Sequence, residues 1–352
     1  MESIDRLFIE PKATIADCLR AMDQQDSKLL MVGAREKLLG LVSIGDLQRA
    51  IIKFADLTIP IKQIMRETNR IGAFTETQDQ VRKKMLQFRM EYYPVVDDNR
   101  RLIACYFWDE MFGIGLEEKS QFKTSVVIMA GGLGTRMRPI TNVIPKPLIP
   151  LGEKSLIEEI MDTFDSHGEQ NYLISVNYLS DIIEYHLSRS KYKEYISFYL
   201  ENKRMGTIGS LSLMKPDLPQ TFFITNCDIL IDEDYSKILE FHEKGKFDIT
   251  LVCAVKRYDI PYGTVETFKN GLLKELKEKP ISDHLINSGL YVMEKNCIDF
   301  IPANSYFDIT DLIDKVKDSG GQIGVFPVSE QSWTDIGNWE AYVNCLQQRK
   351  LI

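Results

Sequence analysis

The 352-residue sequence has no apolar run approaching the roughly 20 residues that a helical membrane span needs, so no membrane partner is expected. Its start, Met1-Glu2-Ser3-Ile4-Asp5, lacks both the basic stretch and the apolar core of an export signal, and a cytoplasmic location is expected. The six cysteines, Cys18, Cys105, Cys227, Cys253, Cys297 and Cys345, lack any paired spacing. That excludes a disulfide or zinc framework and leaves reduced thiols. An excess of basic charge is also missing. With 43 Lys and Arg against 51 Asp and Glu, the formal net charge is −8, which gives no support to a nucleic-acid partner. What is present is ordinary for a soluble globular protein: 44% hydrophobic and 27% charged residues, in a length that suits about two domains. An acidic protein that handles phosphate must gather its cations locally.

It gathers them at Ala130-Gly131-Gly132-Leu133-Gly134-Thr135-Arg136-Met137-Arg138-Pro139, followed by Pro145-Lys146-Pro147-Leu148. Before this stretch runs Ser125-Val126-Val127-Ile128-Met129, a β-branched apolar run that reads as a buried parallel strand. A strand that opens into glycines presents bare backbone N–H groups at the carboxyl edge of a sheet, where open α/β sheets bind ligands. Consecutive N–H groups form an anion cradle, and arginine adds a bidentate clamp. Two common phosphate loops are nevertheless absent. The dinucleotide fingerprint requires glycine where Met137 stands, and the P-loop requires Gly-Lys-Ser/Thr where Gly134-Thr135-Arg136 stands.

The pattern that is matched is G-G-x-G-T-R-x-x-P-x-T-x-x-x-P-K-P, from Gly131, Gly132, Gly134, Thr135, Arg136 and Pro139 through Thr141 to Pro145-Lys146-Pro147. It resembles the sugar-1-phosphate nucleotidylyltransferases, or NDP-hexose pyrophosphorylases. The resemblance extends from residue 125 to about 345. It implies an α/β fold with a mostly parallel, Rossmann-like sheet covered by helices on both faces. It also implies that Ala130, Gly131, Gly132, Gly134, Thr135 and Arg136 meet the nucleotide, and that Arg136 and Lys146 act in catalysis.

The chain itself supports alternation after the loop. Ser155 and Glu158 form a capping box before an amphipathic helix. Strands are read at Tyr172 to Val176, Ile196 to Leu200 and Phe222 to Asn226, with helices between them. Asp228 follows the last of these strands, and Asp335 lies in Trp333-Thr334-Asp335-Ile336-Gly337. Alone, an aspartate at a strand end is more often a helix cap. By the resemblance the pair holds Mg²⁺, which suits a hard cation that shares carboxylate and phosphate oxygens. The resemblance further assigns Gly263, Glu278, Lys279 and Asn287 to the sugar phosphate and sugar hydroxyls. It places Glu201, Gly206 and Thr207 at the base, in a Met205-Gly206-Thr207-Ile208-Gly209 form similar to that of mannose-1-phosphate guanylyltransferases. Glu278-Lys279 also reads, more blandly, as part of a solvated charge run.

The first third repeats itself without gaps at a shift of 63 residues: Thr14 matches Thr77, Met22 Met85, Val32 Val95, Leu39 Leu102 and Asp46 Asp109. Each copy reads helix, strand, strand, helix, and the two copies are expected to pack on each other. Gly40-Leu41-Val42-Ser43-Ile44-Gly45-Asp46-Leu47 and Pro94-Val95-Val96-Asp97 resemble a pair of CBS domains. In that family such a pair binds adenine nucleotides through a Ser/Thr and an Asp, here Ser43 and Asp46; the other reading is that Asp46 caps a helix. The second copy departs from the motif at Ile103 and Tyr106. The expected organisation is therefore a tandem pair over 1–118 (repeats about 1–57 and 58–118), a linker at 119–124, and a nucleotidylyltransferase domain over 125–352.

The expected activity is synthesis of a GDP-sugar, GDP-glucosamine or a related GDP-hexose, from GTP and a sugar-1-phosphate with release of pyrophosphate. The combination with a CBS pair resembles the glucosamine-1-phosphate guanylyltransferases of legionaminic acid biosynthesis. The pair is regulatory or dimer-forming, so a homo-oligomer is expected. Alternatives are a mannose-1-phosphate guanylyltransferase, or a nucleotide-sensing protein with an inactive transferase domain. A metal-dependent glycosyltransferase would show Asp-x-Asp, but Asp228 is followed by Ile229-Leu230.

Overall fold

The structure, a computed structural model, describes residues 2–66, 70–88, 90–112, 120–349 and 351, with the side chains of Glu2, Ser3, Leu86, Asp109, Phe112 and Ile281 outside that description. Of the stretch read as a linker, 119–124, residue 119 is also outside it. The chain forms two compact units: 1–118 with 255–285, and 119–254 with 286–352.

The second unit is built on a seven-stranded sheet. Its strands are β1 (Ser125–Met129), β2 (Asn171–Val176), β3 (Ile196–Leu200), β4 (Thr221–Asn226), β5 (Ile249–Asp259), β6 (Ile281–Glu294) and β7 (Ile323–Ser329), in the order β3-β2-β1-β4-β6-β5-β7. Strands β1 to β4 are mutually parallel, and β6 runs antiparallel to β4. Strands β5 and β6 each carry residues of both units.

Successive side chains of a strand point to opposite faces. Accordingly Val126 and Ile128 of β1 enter one apolar core with Ile174, Phe223 and Val292, while Val127 enters another with Leu173, Phe222, Ile224 and Met293. Helices α1 (Leu156–Asp165), α2 (Ser180–Leu187), α3 (Tyr235–Gly245) and α5 (Trp339–Gln348) contribute to the first core, and α4 (Ile309–Asp318) to the second. Burial of β1 on both faces explains its unbroken apolar run. The capping box read at Ser155 and Glu158 is present: Ser155 N donates to Glu158 Oε2 at 2.9 Å and opens α1. Because β1, β2, β3 and β4 are parallel and in register, Met129, Val176, Leu200 and Asn226 deliver the loops that follow them to one edge.

In the first unit the 63-residue shift is a structural repeat. Helix Ile15–Gln25 maps onto helix Gln78–Phe88, and the hairpin Leu29–Ala34/Lys37–Ser43 onto Tyr92–Val96/Leu102–Phe107. The copies share one core, in which Met31, Leu38 and Leu41 meet Val81, Met85 and Tyr93. Polar contacts join them as well: Tyr92 OH donates to Leu29 O at 2.7 Å, and Arg100 Nε donates to Leu38 O at 2.7 Å. The same unit also takes in 255–285, a segment that lies within the 125–352 stretch of the sequence. Val255 is the reason: it is buried among Ile15, Leu19, Leu47 and Ile51 of the first repeat.

Candidate active site

A cleft of about 470 Å³ opens at the shared strand edge of the second unit. Gly131, Gly132, Gly134, Thr135, Arg136, Lys146, Glu201, Gly206, Thr207 and Asp228 line it. Tertiary structure thus brings together residues 131 to 228, which the sequence spreads over the loops after β1, β3 and β4.

The loop after β1 is shaped by two close approaches. Gly134 has φ 61°, and a β-carbon there would stand 2.9 Å from Thr141 Cγ2 and 3.2 Å from Lys146 Cβ. Only glycine fits both the left-handed backbone and that space. Thr141 Oγ1 donates to Gly134 O at 2.8 Å and fixes the turn. At Gly131 a β-carbon would stand 2.8 Å from Glu201 Oε1, so a side chain there would displace that carboxylate. Ala130 is buried, and its N–H donates to Ser175 O at 2.9 Å, tying the start of the loop to β2. Thr135 and Arg136 lie in a short 3-10 turn, Thr135–Met137, and are exposed on the cleft wall.

Lys146 is nearly buried and donates its ammonium to Asp228 Oδ2. The side chains of the pair are only 9% and 15% exposed. Asp228 follows β4, whose continuation is bonded to the loop start: Cys227 N donates to Met129 O at 3.3 Å. Burial pushes the Cys227 thiol up to about 12, with the Asp228 charge adding to the shift, so this cysteine is an inert core residue rather than a nucleophile.

The two aspartates meet through a small ribbon. Strand Ile229–Ile231 pairs antiparallel with Trp333–Asp335, placing Ile229 opposite Asp335, and Ile336 N donates to Asp228 O at 2.9 Å. Asp335 does not line the cleft itself, but Gly337 does, and it lies between two charges: a β-carbon on Gly337 would be 2.9 Å from Asp335 Oδ1 and 3.2 Å from Arg136 Nη2. The donor set toward a metal is therefore two neighbouring carboxylates. Among the described residues, no group of three or more His, Cys, Asp or Glu is arranged to hold one. Two carboxylates with room for phosphate oxygens suit Mg²⁺, which prefers such partial protein ligation to a full protein cage.

Glu201 is buried and accepts a hydrogen bond from Ser175 Oγ on Oε1, with its own N–H bonded to Val176 O at 2.8 Å. Gly206 and Thr207 line the same cleft, but the Thr207 hydroxyl is committed elsewhere: it accepts from Ile309 N at 2.8 Å at the start of α4. Sequence reading passed over Arg204, Tyr306, Asn226 and Gly337, all on the cleft wall. Arg204 adjoins the base segment and was within reach of a motif argument. Tyr306 is 105 positions from Glu201 in the chain and carries no local signal.

Asn287 belongs to the second unit but does not line the cleft; its Nδ2 donates to Tyr291 OH at 2.8 Å. Gly263, Glu278 and Lys279 belong to the first unit, at and beside the hairpin Thr264–Thr267/Leu273–Lys277. There Glu278 Oε2 lies 3.1 Å from the position of a Gly263 β-carbon.

In the first repeat, Ser43 and Asp46 open helix Ile44–Phe54 as a capping box. Asp46 is buried, and both of its oxygens are occupied. Oδ2 accepts from Ser43 N at 3.0 Å and Ser43 Oγ at 2.7 Å, while Oδ1 accepts from Arg66 Nε at 2.7 Å and Arg49 Nη2 at 2.5 Å. Burial alone would raise its carboxyl, but the Ser43 bonds and the Arg66 guanidinium outweigh it and hold the group below the ordinary carboxylate range.

The nucleotidyl transferase family model matches residues 125–350, and the CBS domain model matches 3–53. A UTP–glucose-1-phosphate uridylyltransferase of Synechocystis sp. is 32% identical over 240 residues, covering 61% of each chain. A mannose-1-phosphate guanyltransferase of Yarrowia lipolytica is 32% identical over 186 residues, covering 50% of each. The chain thus spans about half to three-fifths of the length of these curated relatives. The crystal structure of HddC from Yersinia pseudotuberculosis superposes with a TM-score of 0.51 at 26% identity, covering 64% of this chain and 99% of that one. Among the described residues, no helix is long and apolar enough to cross a membrane.

Proposed function

We infer that this chain, which belongs to the nucleotidyl transferase family, transfers a nucleoside monophosphate from a nucleoside triphosphate to a sugar-1-phosphate. GTP is the donor we favour, and a hexosamine- or hexose-1-phosphate the acceptor. The observation that carries the reading is the convergence of the glycine loop, Arg136, Lys146 and Asp228 on one cleft.

In this reaction an acceptor phosphate oxygen bonds to the α-phosphorus, the bond from that phosphorus to the α,β-bridging oxygen breaks, and pyrophosphate leaves with the electron pair. The acceptor is already an anion, so no side-chain base is required. The protein's task is alignment and charge neutralisation. The loop amides from Gly132 to Thr135 and the Arg136 guanidinium hold the β- and γ-phosphates. Lys146 reaches the α-phosphate and the incoming phosphate. Asp228 and Asp335 are the residues that would hold Mg²⁺, which when bound supplies a template and neutralises phosphate charge. Gly263, Glu278, Lys279 and Asn287 are proposed for the sugar phosphate and hydroxyls on the strength of the motif match.

The two named enzyme relatives use different bases, so family membership leaves the base open. Glu201 favours guanine. Its carboxylate stands beside Gly131 on the cleft wall, and guanine offers two adjacent donors, N1–H and N2–H, to a single carboxylate, where uracil and thymine offer one N–H. A site built to bond one base edge rejects others by leaving buried groups unpaired, potentially by orders of magnitude. The test incubates the protein with each NTP and a panel of sugar-1-phosphates and measures pyrophosphate. Release with GTP far above UTP and dTTP is expected. Comparable kcat/KM for GTP and dTTP removes the guanine assignment, and no release with any pair removes the transferase reading.

For the first unit we retain a regulatory role, homo-oligomer formation and an adenine nucleotide as ligand. Because the Asp46 oxygens are occupied, Arg49, Arg66 and Arg70, whose charges interact around Asp46, are the groups suited to its phosphates. Calorimetry of the full chain with AMP, ADP and ATP decides whether any binds.

A further inference from the structure

Without a ligand the cleft balances its own charge. Lys146 and Asp228 form an ion pair, and Arg136 and Asp335 flank Gly337. With Arg204 and Glu201 on the same wall, three cations thus stand against three anions. A divalent cation added alone would leave two positive charges in a partly enclosed cleft, and it would have to take its Asp228 ligand from an ammonium already bonded to Oδ2. A polyphosphate entering with the cation removes both obstacles, since its oxygens are a better partner for Lys146 than a carboxylate that the metal can use.

We propose that Lys146 is a displaceable counter-cation in the metal site: it occupies Asp228 until a phosphate draws its ammonium away, so that metal and phosphate bind with positive coupling. Coupling of this kind is reciprocal by thermodynamic necessity. The proposal rests on the functional reading above, because it requires Asp228 to be a metal ligand. It gives the ion pair a purpose beyond stability. An unpaired Asp228–Asp335 couple would bind divalent cations unproductively, and an unpaired Lys146 would be a nearly buried ammonium without a partner.

The test measures Mn²⁺ binding to the full-length protein by electron paramagnetic resonance, without nucleotide and without turnover. Wild type should bind weakly, and Lys146→Gln tighter by on the order of tenfold. Lys146→Gln/Asp228→Asn should lose that gain. In wild type, inorganic sulfate, a tetrahedral dianion that chelates Mn²⁺ poorly, should tighten Mn²⁺ binding; in Lys146→Gln it should not. This arm on wild type needs no variant to fold, and melting curves check the variants. Equal Mn²⁺ affinity for wild type and folded Lys146→Gln, with no effect of sulfate on wild type, overturns the proposal while leaving Asp228 as a ligand. If Mn²⁺ binding is instead unchanged by Asp228→Asn in every condition, the metal assignment itself fails, and the proposal with it.

Discussion

Arg136 is exposed on the cleft wall in a tight turn. Arg136→Ala should therefore fold normally and lose about a hundredfold or more in kcat, as removal of one preorganised charge contact does elsewhere. Steady-state kinetics alongside a melting curve checks both halves. The aspartates should behave differently from each other. Asp228→Asn removes the carboxylate that the nearly buried Lys146 ammonium faces, so it should abolish metal-dependent turnover and also lower stability by about 1–3 kcal/mol. Asp335→Asn should abolish turnover with a smaller change in denaturation midpoint, because its Oδ1 stands beside Gly337 rather than against a buried ammonium. Equal midpoints for the two variants would refute that distinction. Loop residues of this kind were legible in the sequence because glycine, arginine and lysine at fixed spacing leave few alternatives. Thr207 shows the limit. Its place on the cleft follows from the motif, yet its hydroxyl is committed to Ile309 N, over 100 positions away, which local sequence does not reveal.

At the scale of elements, the ribbon Ile229–Ile231/Trp333–Asp335 does what neither strand could do alone, since it places Asp335 beside the residue following Asp228. Trp333 Nε1 donates to Ser288 O at 3.2 Å and anchors the ribbon to β6. Helix α3 carries the clearest pH dependence. His242 is buried, with Nδ1 2.8 Å from Thr250 Oγ1 and Nε2 3.2 Å from Glu294 Oε1. Burial holds its pKa below the ordinary histidine value, although Glu294 pulls the other way. The unfolded chain protonates His242 near about pH 6.5, while the folded chain does so only at lower pH. Between those two values the unfolded state binds more protons, so stability must fall as pH drops below about 6.5. His242→Gln should flatten that slope in melting temperature against pH; an unchanged slope would assign the acid sensitivity to other groups. The alternation of strands and helices was readable from periodicity. Strands β5, β6 and β7 were not read, because they lie beyond the stretch whose alternation was clear.

For the whole molecule, the compact units cut across the order of the chain. Residues 255–285 belong with 1–118, and Val255 is buried in the core of the first repeat. A truncation beginning near Gln121 would leave that segment without its packing partners. It should be less soluble than the full chain and should lose specific activity. Retained specific activity in a soluble truncation would show that 255–285 holds its fold without the repeats. By itself the sequence determined the glycine-rich loop, the parallel strand that feeds it, the repeat of 63 residues and the lack of any apolar run long enough for a helical membrane span, since each rests on local spacing, period or composition. Only tertiary structure decided that Lys146 pairs with Asp228, that Asp335 stands beside them, that Asp46 is saturated by Ser43, Arg49 and Arg66, and that 255–285 leaves its neighbours in the chain for the first unit. Those outcomes depend on contacts between residues far apart in sequence, and which distant partner a charge or a valine finds is set by how the sheets close, not by the residues on either side of it.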